Sequence, residues 1–163
     1  MENKSKNSKN DYQIDAKDRE ILNLLSKNGR EKLTSLAKKI GLSIDPTKKR
    51  MQKLVDSGII TNFTIQTNVS KLGLGYGVHV YLKLKSTSGE EFEKLITYLK
   101  NHFRIIDVFS VIGNFDLSLV VLGKDSEEID STLKEIRQKF SNVINEWNAV
   151  TVSKIHKLEE YKY

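Results

Sequence analysis

The stretch "SIDPTKKRMQKLVDSG", residues 43–58, places the only proline of the chain directly before its densest run of positive charge. Asp45 suits a helix N-cap, where a carboxylate accepts hydrogen bonds from free backbone amides. Pro46 suits the first helical position, because its missing N–H would have no partner there. The pattern therefore predicts a helix that begins sharply at Asp45-Pro46 and ends at Gly58.

This predicted helix has an apolar side and a basic side. At about 100° per residue, Thr47, Met51 and Leu54 fall together, and we expect them to pack inward. The opposite side is polar and basic, as in a helix that enters the major groove of DNA. A solvated helix face is the alternative. The candidate DNA-binding residues are Ser43, Thr47, Lys48, Lys49, Arg50, Gln52 and Lys53.

Two shorter helical patterns precede this helix. "IDAKDREILNLLSKNGR", residues 14–30, predicts a helix capped by Asp15, and "KLTSLAKKIGLS", residues 32–43, predicts a helix capped by Thr34 or Ser35. Short helices joined by a glycine-bearing turn are typical of a helix-turn-helix. The charge agrees: residues 1–60 carry 14 Lys and Arg against 8 Asp and Glu, whereas the rest carries 13 of each. This asymmetry predicts a polyanion-binding module joined to a neutral body.

The carboxy-terminal half alternates strand and helix patterns in the order β-α-β-β-α-β, with a hairpin turn expected at Gly113-Asn114. This order predicts a ferredoxin-like domain with both helices on one face of an antiparallel sheet. The other face needs solvent or a second copy, so we expect a homodimer. The predicted fold class is α+β, with an amino-terminal winged helix-turn-helix followed by a ferredoxin-like βαββαβ domain.

Composition excludes several classes of protein. The chain has no cysteine, which excludes disulfides, thiol nucleophiles and cysteine-ligated zinc. No apolar run approaches the ~20 residues of a membrane helix, and the amino terminus lacks a signal-peptide core. The three histidines show no ligand-like spacing. We therefore expect a cytoplasmic protein with no membrane partner, no metal and no cofactor.

Four motifs follow one another between residues 14 and 157: "IDAKDREILNLLSKNGR", "LAKKIGLS", "KKRMQKLVDSGII" and "GNFDLSL". In this order and spacing they resemble the Lrp/AsnC (leucine-responsive regulatory protein) family of prokaryotic transcription regulators. The resemblance implies a winged helix-turn-helix bound to double-stranded DNA. It also implies a carboxy-terminal domain that dimerises, assembles further into a tetramer or octamer, and senses amino acids.

The patterns along the chain give the domain boundaries, and the resemblance adds the effector site. The expected parts are a flexible arm at 1–13, a helix-turn-helix DNA-binding domain at 14–60, a wing strand and linker at 61–75, an effector and dimerisation domain at 76–157, and a tail at 158–163. The candidate effector residues are Gly113, Asn114, Phe115, Asp116, Glu146 and Asn148. A tight hairpin with a satisfied aspartate is the alternative for the first four.

The effector site departs from the family pattern, because Asn114 stands where the family often has aspartate, and Glu146 and Asn148 where it often has threonines. We therefore expect an effector with an additional or more exposed amino group, or no effector at all.

Three functions stay open from the sequence. The leading hypothesis is a sequence-specific DNA-binding transcription regulator that an amino acid or related amine modulates. The second is an enzyme on the same frame, similar to the siroheme decarboxylases, which would need basic and histidine groups in the carboxy-terminal half. That half is neutral, so we predict no enzyme activity. The third is an architectural DNA-wrapping protein.

Overall fold

A computed structural model describes residues 12–158 and 161–163 of the protein. These residues form two compact units. The amino-terminal unit comprises the described residues up to Gln66 and those from Lys157 onward, and the carboxy-terminal unit comprises Thr67–His156. Most of the predicted flexible arm, residues 1–11, lies outside the described residues. In the part of the chain that is described, no helix combines the length and apolar character needed to cross a bilayer.

The amino-terminal unit contains three helices, α1 (Ala16–Lys27), α2 (Leu33–Ile40) and α3 (Ile44–Asp56). Their inward side chains form one apolar core, because each helix carries apolar residues at the spacing of a single face. The core consists of Ile21, Leu22, Leu25, Leu36, Ile40 and Leu54. This arrangement confirms the predicted helix-turn-helix.

The helix caps agree with the sequence patterns at α1 but not at α2. The Asp15 carboxylate accepts the Asp18 N–H at 2.9 Å, and Asp18 accepts the Asp15 N–H at 3.0 Å, which makes a reciprocal capping box. At α2 the cap is Lys32, without a side-chain bond. The predicted cap residues Thr34 and Ser35 lie inside the first turn, so that prediction was wrong.

The start predicted for α3 was wrong by two residues. Ser43 is the N-cap and Ile44 the first helical residue, so Pro46 occupies the third position. Every amide of a helix's first turn lacks an intrahelical acceptor. Proline is therefore tolerated throughout that turn, and its presence does not distinguish the first position from the third.

The predicted wing strand is absent from residues 61–75, where the structure has an extended segment followed by a 3₁₀ turn at Val69–Leu72. The alternating β-branched residues favour an extended backbone, but a strand also needs a hydrogen-bonded neighbour. The side chains of Phe63 and Ile65 are 55% and 74% exposed, so this segment does not pack on a sheet within the described residues.

The carboxy-terminal unit has the predicted order of elements. The sheet is antiparallel with strand order β2-β3-β1-β4. The expected Gly113-Asn114 turn is longer than predicted, because Ser110 and Leu117 form the last strand pair. The elements are β1 (Tyr76–Leu84), α4 (Gly89–Asn101), β2 (Ile105–Ser110), β3 (Leu117–Gly123), α5 (Ser126–Lys139) and β4 (Ile144–Thr151).

The sheet has a covered face and an open face, because successive strand residues point to opposite sides. On the covered face, Val80 and Leu119 pair across β1 and β3 and pack in one core with α4 and α5. The open face carries the intervening residues, and two of its apolar side chains, Phe109 and Val150, are about half exposed. We define the open face as His79, Tyr81, Lys83, Phe109, Ser118, Val120, Glu146, Asn148 and Val150.

Candidate nucleic-acid interface

The outward side of α3 is the basic surface that the sequence predicted. Lys48, Lys49, Gln52 and Lys53 are exposed, and the three lysines make no ion pair with any residue in the described ranges. The Gln52 amide donates to the Asp56 carboxylate at 2.7 Å. Exposed side chains change rotamer within nanoseconds, so this bond leaves Gln52 able to turn toward a base edge.

Ser43 occupies the amino-terminal end of the same helix. Its side chain is exposed and makes no capping bond, so its hydroxyl remains available at a position where backbone amides also lack partners. Hydroxyls and amides at a helix start are common phosphate ligands in protein–DNA complexes. Ser43 therefore stays a candidate contact to the DNA backbone.

Thr47 does not belong to this surface, contrary to its inclusion among the DNA-binding candidates. The Thr47 side chain is fully buried, and its hydroxyl donates to the Ser43 carbonyl oxygen at 2.8 Å. That bond satisfies the one polar group the side chain brings into the core. Thr47 therefore serves the packing of α3 and has no access to DNA.

Arg50 also differs from expectation, because its guanidinium is directed at α1. Its Nη1 donates to Asp15 at 2.6 Å and to Asp18 at 2.9 Å. These bonds, with Asp18 as the larger cause, raise the pKa of Arg50 above its usual value. The sequence contained a signal for this pair: Asp18 lies at the helical spacing of Leu22 and Leu25, and a carboxylate on an apolar face needs a cation.

Glu31, just before α2, collects donors from both neighbouring segments. Lys39 donates to it at 2.8 Å, Asn28 at 3.0 Å, and the Ser35 hydroxyl also donates to it. The Lys39 bond first, and then those from Ser35 and Asn28, lower the pKa of Glu31 to about 2. Glu31 therefore stays ionised well below the pH at which a free glutamate is protonated.

We expect Glu31 to make stability depend on pH. Because its pKa is lower in the folded chain than in the unfolded chain, its contribution is complete above the ordinary value of 4.5 and is lost as pH falls toward 2. The gap in thermal midpoint between wild type and Glu31→Gln should be largest at pH 6 and close by pH 2. A gap that stays constant over this range would contradict the assignment.

The candidate effector residues lie in the carboxy-terminal unit. The Phe115 ring packs 5.6 Å from the Tyr81 ring, while Gly113, with φ of +146°, and Asn114 are exposed in the β2–β3 loop. Asp116 differs from expectation, because its carboxylate accepts the Leu84 N–H at 2.8 Å. This backbone bond first, and then a lysine contact, lower the pKa of Asp116. One oxygen of Asp116 therefore holds the loop.

Lys83 is the residue of this region that the sequence analysis missed as a site residue. Its ammonium lies 3.3 Å from Asp116, and its Cα pairs across the sheet with Glu146 of β4. Asn148 pairs in the same way with Tyr81. The alternation of β1 puts Lys83 on the open face, but only the tertiary structure brings it beside Asp116 and opposite Glu146.

The three histidines do not form one site. His79 lies on the open face of the sheet, whereas His102 caps the end of α4 and its Nδ1 accepts the Arg104 N–H at 3.2 Å. His156 follows β4 and is exposed. Among the residues described, no cluster of histidine and carboxylate side chains has the geometry of a metal site.

The chain is similar to known DNA-binding regulators. Residues 14–61 match the family described as winged helix-turn-helix DNA-binding. An HTH-type transcriptional regulator of Pyrococcus furiosus is 33% identical over 127 residues, which are 78% of this chain and 82% of the relative. A proline dehydrogenase transcriptional activator of Rhizobium radiobacter is 30% identical and covers 85% of this chain and 89% of its own.

Solved structures share the fold. An AsnC family transcriptional regulator from Agrobacterium tumefaciens, 24% identical, superposes with a TM-score of 0.84 over 89% of this chain and 94% of its own. A Neisseria meningitidis transcriptional regulator solved as an L-Met complex, 19% identical, superposes with a TM-score of 0.83 over 90% and 94%. These structures share the fold, and the sequence relatives show that the chain is a transcription regulator of the Lrp/AsnC family.

Proposed function

We propose that this regulator reads specific DNA sequences through the outward side of α3. The observation that carries the proposal is the contrast between the two sides of that helix. Its inner side is fixed by the buried Leu54 and Thr47, while Lys48, Lys49 and Lys53 are exposed and form no ion pair within the part of the chain that the structure describes. Lysines in this position can neutralise phosphates and donate to guanine, and Gln52 can pair with adenine.

Selection from a random-sequence duplex library tests this proposal against an architectural role. A sequence-specific regulator enriches a common motif and keeps its preference at ~0.15 M salt with competitor DNA, because base contacts survive when phosphate contacts weaken. Retention of DNA without enrichment of any motif would favour the wrapping protein.

We further propose that the regulator works in the cytoplasm, where prokaryotic DNA lies.

We also propose that two copies pair through the open face of the sheet. Phe109 and Val150 are 51% and 52% exposed there, and apolar strand residues on an exposed face are suited to a second sheet. Further assembly into a tetramer or octamer would build on this dimer.

No catalytic role is part of the proposal. A haem-region spectrum of siroheme that is the same with and without the protein would support that.

Val150→Lys tests the dimer. We expect sedimentation equilibrium to show a roughly thirtyfold weaker dimer, because a twofold interface contains the substitution twice. Phe103→Lys is the control, since Phe103 is 80% exposed but lies beside α4 and α5. Equal effects of the two substitutions, or a monomeric wild type, would rule out this interface.

For the effector we propose an amino acid bound near Lys83, Asp116 and Glu146. Lys83 offers a cation to a ligand carboxylate, and Glu146, exposed on β4, offers an anion to a ligand amine. The L-Met complex of the Neisseria meningitidis regulator supports this class of ligand. Calorimetric titration with the amino acids, including β-amino acids, is the test; no heat with any of them removes the effector from the proposal.

A further inference from the structure

A carboxylate lies inside the apolar core of the amino-terminal unit. The Asp18 side chain is 0% exposed and shares the inner face of α1 with Ile21, Leu22 and Leu25. Burial of a charge has a large desolvation cost. Paired charges and hydrogen bonds at best balance that cost. Apolar residues in such places are often neutral or stabilising, so Asp18 calls for a reason other than stability.

Asp18, in the first turn of α1, joins the segment that precedes α1 to the middle of α3. Its Oδ2 accepts the Tyr12 hydroxyl at 2.7 Å and the Asp15 N–H at 3.0 Å. Its Oδ1 accepts Arg50 Nη1 at 2.9 Å. The carboxylate therefore connects Tyr12, the N-cap residue Asp15 and the middle of α3 through directed bonds.

The direction of these bonds matters for α3. The apolar contacts of Leu54 and Met51 hold the helix to the core, but such contacts are not directional. Arg50 lies on the flank between the inward and the basic sides, so its bond to Asp18 opposes rotation of α3 about its axis. A rotation of about 20° moves atoms at the surface of a helix, about 6 Å from the axis, by about 2 Å. That displacement breaks a hydrogen bond.

We propose that Asp18, Tyr12 and Arg50 are positioning residues for DNA recognition, which fix the rotation of α3 and so aim its basic side at the groove. The inference rests on the proposed function, because it concerns how α3 meets DNA. Arg50 acts here from within the protein, through its bond to Asp18, and makes no contact with phosphate.

Asp18→Asn gives a test in which simple electrostatics and positioning predict different results for sequence preference. The substitution removes a negative charge, so electrostatics alone predicts equal or tighter binding to every duplex. Positioning predicts that the ratio of affinity for a duplex selected by the wild type to affinity for a random duplex pool falls about tenfold. That is the worth of about one base contact.

Glu20→Gln is the matched control, because it makes the same charge change on the exposed side of α1, where Glu20 pairs with Lys17 at 3.0 Å. Its ratio should stay within about twofold of wild type. An Asp18→Asn protein that is folded by circular dichroism and keeps the wild-type ratio would overturn the proposal.

Tyr12 and Arg50 keep the proposal testable if Asp18→Asn does not fold. Tyr12→Phe removes one hydroxyl and should lower the ratio about threefold. Arg50→Met should lower it about tenfold without changing the salt slope on random duplex, whereas loss of a phosphate contact would reduce that slope by about 0.9. Wild-type ratios in both variants would overturn the inference.

Arg50→Lys separates positioning from a general need for a well-packed helix. A single nitrogen of Arg50 reaches both Asp15 and Asp18, so a lysine ammonium can take its place and should restore most of the ratio. A ratio for Arg50→Lys as low as for Arg50→Met contradicts the charge-directed arrangement. Should the wild type select no sequence at all, the proposed function itself has failed; a selective wild type with equally selective variants removes the positioning role alone.

Discussion

Alanine at Lys48, Lys49 and Lys53 is expected to weaken duplex binding about 500-fold at 0.1 M salt. The three side chains are exposed on α3, and each phosphate that a lysine neutralises contributes roughly 0.9 of a decade at that salt concentration. Fluorescence anisotropy titrations at several salt concentrations measure both the affinity and its slope. The slope of log affinity against log salt should fall by about 2.7 in magnitude.

The control for this triple variant changes net charge by the same amount elsewhere. Lys100, Lys124 and Lys134 are exposed on or beside the helices of the carboxy-terminal unit. Their replacement by alanine should change the affinity by less than about threefold, because exposed charges that do not contact the duplex are largely screened. Equal losses in the two triple variants would mean that overall charge, and not the face of α3, binds the duplex.

Leu54→Ala is expected to destabilise the amino-terminal unit by about 3 kcal/mol. Leu54 is 0% exposed and brings the inner side of α3 into the core, so its truncation leaves a cavity. A unit of this size has a stability on the order of 5 kcal/mol. Hydrogen exchange on the full chain should show protection of α3 amides reduced roughly 150-fold.

Val55→Ala is the matched control for that variant. Val55 is the next residue of α3 but is 39% exposed, so its truncation should change protection by less than about 0.5 kcal/mol. If Leu54→Ala altered the protection of α3 no more than Val55→Ala, then Leu54 would not anchor the recognition helix, and the packing basis of the proposed interface would be wrong.

Local patterns were sufficient for most of the fold. The alternation in β1 and the helical spacing in α4 and α5 were enough to predict the type and the order of those elements. The reason is that one buried face per element imposes a period of 2 or 3.6 on the sequence, wherever its partners lie. The start of α3 was harder, because Ser43, Asp45 and Pro46 all satisfy local rules for the first turn.

The wing segment shows where local patterns stop. Its β-branched residues specify an extended backbone, but whether that backbone becomes a strand depends on a hydrogen-bonded neighbour. Phe63 and Ile65 have none among the residues described, and both are exposed. A strand is a property of a pair of segments, so one segment cannot establish it.

In the candidate sites, the sequence also predicted which residues are exposed but not which residues they contact. Periodicity along α3 alone was enough to put Lys48, Lys49 and Lys53 on the outside, because which side of a helix a residue occupies depends only on its position in the chain. The partners of charged side chains could not be predicted from the sequence. Arg50 meets Asp18 from 32 residues away, and Asp116 meets the Leu84 amide across the same separation. Such pairings follow from how the elements pack, because a hydrogen bond depends on distance in space and the sequence records distance only along the chain.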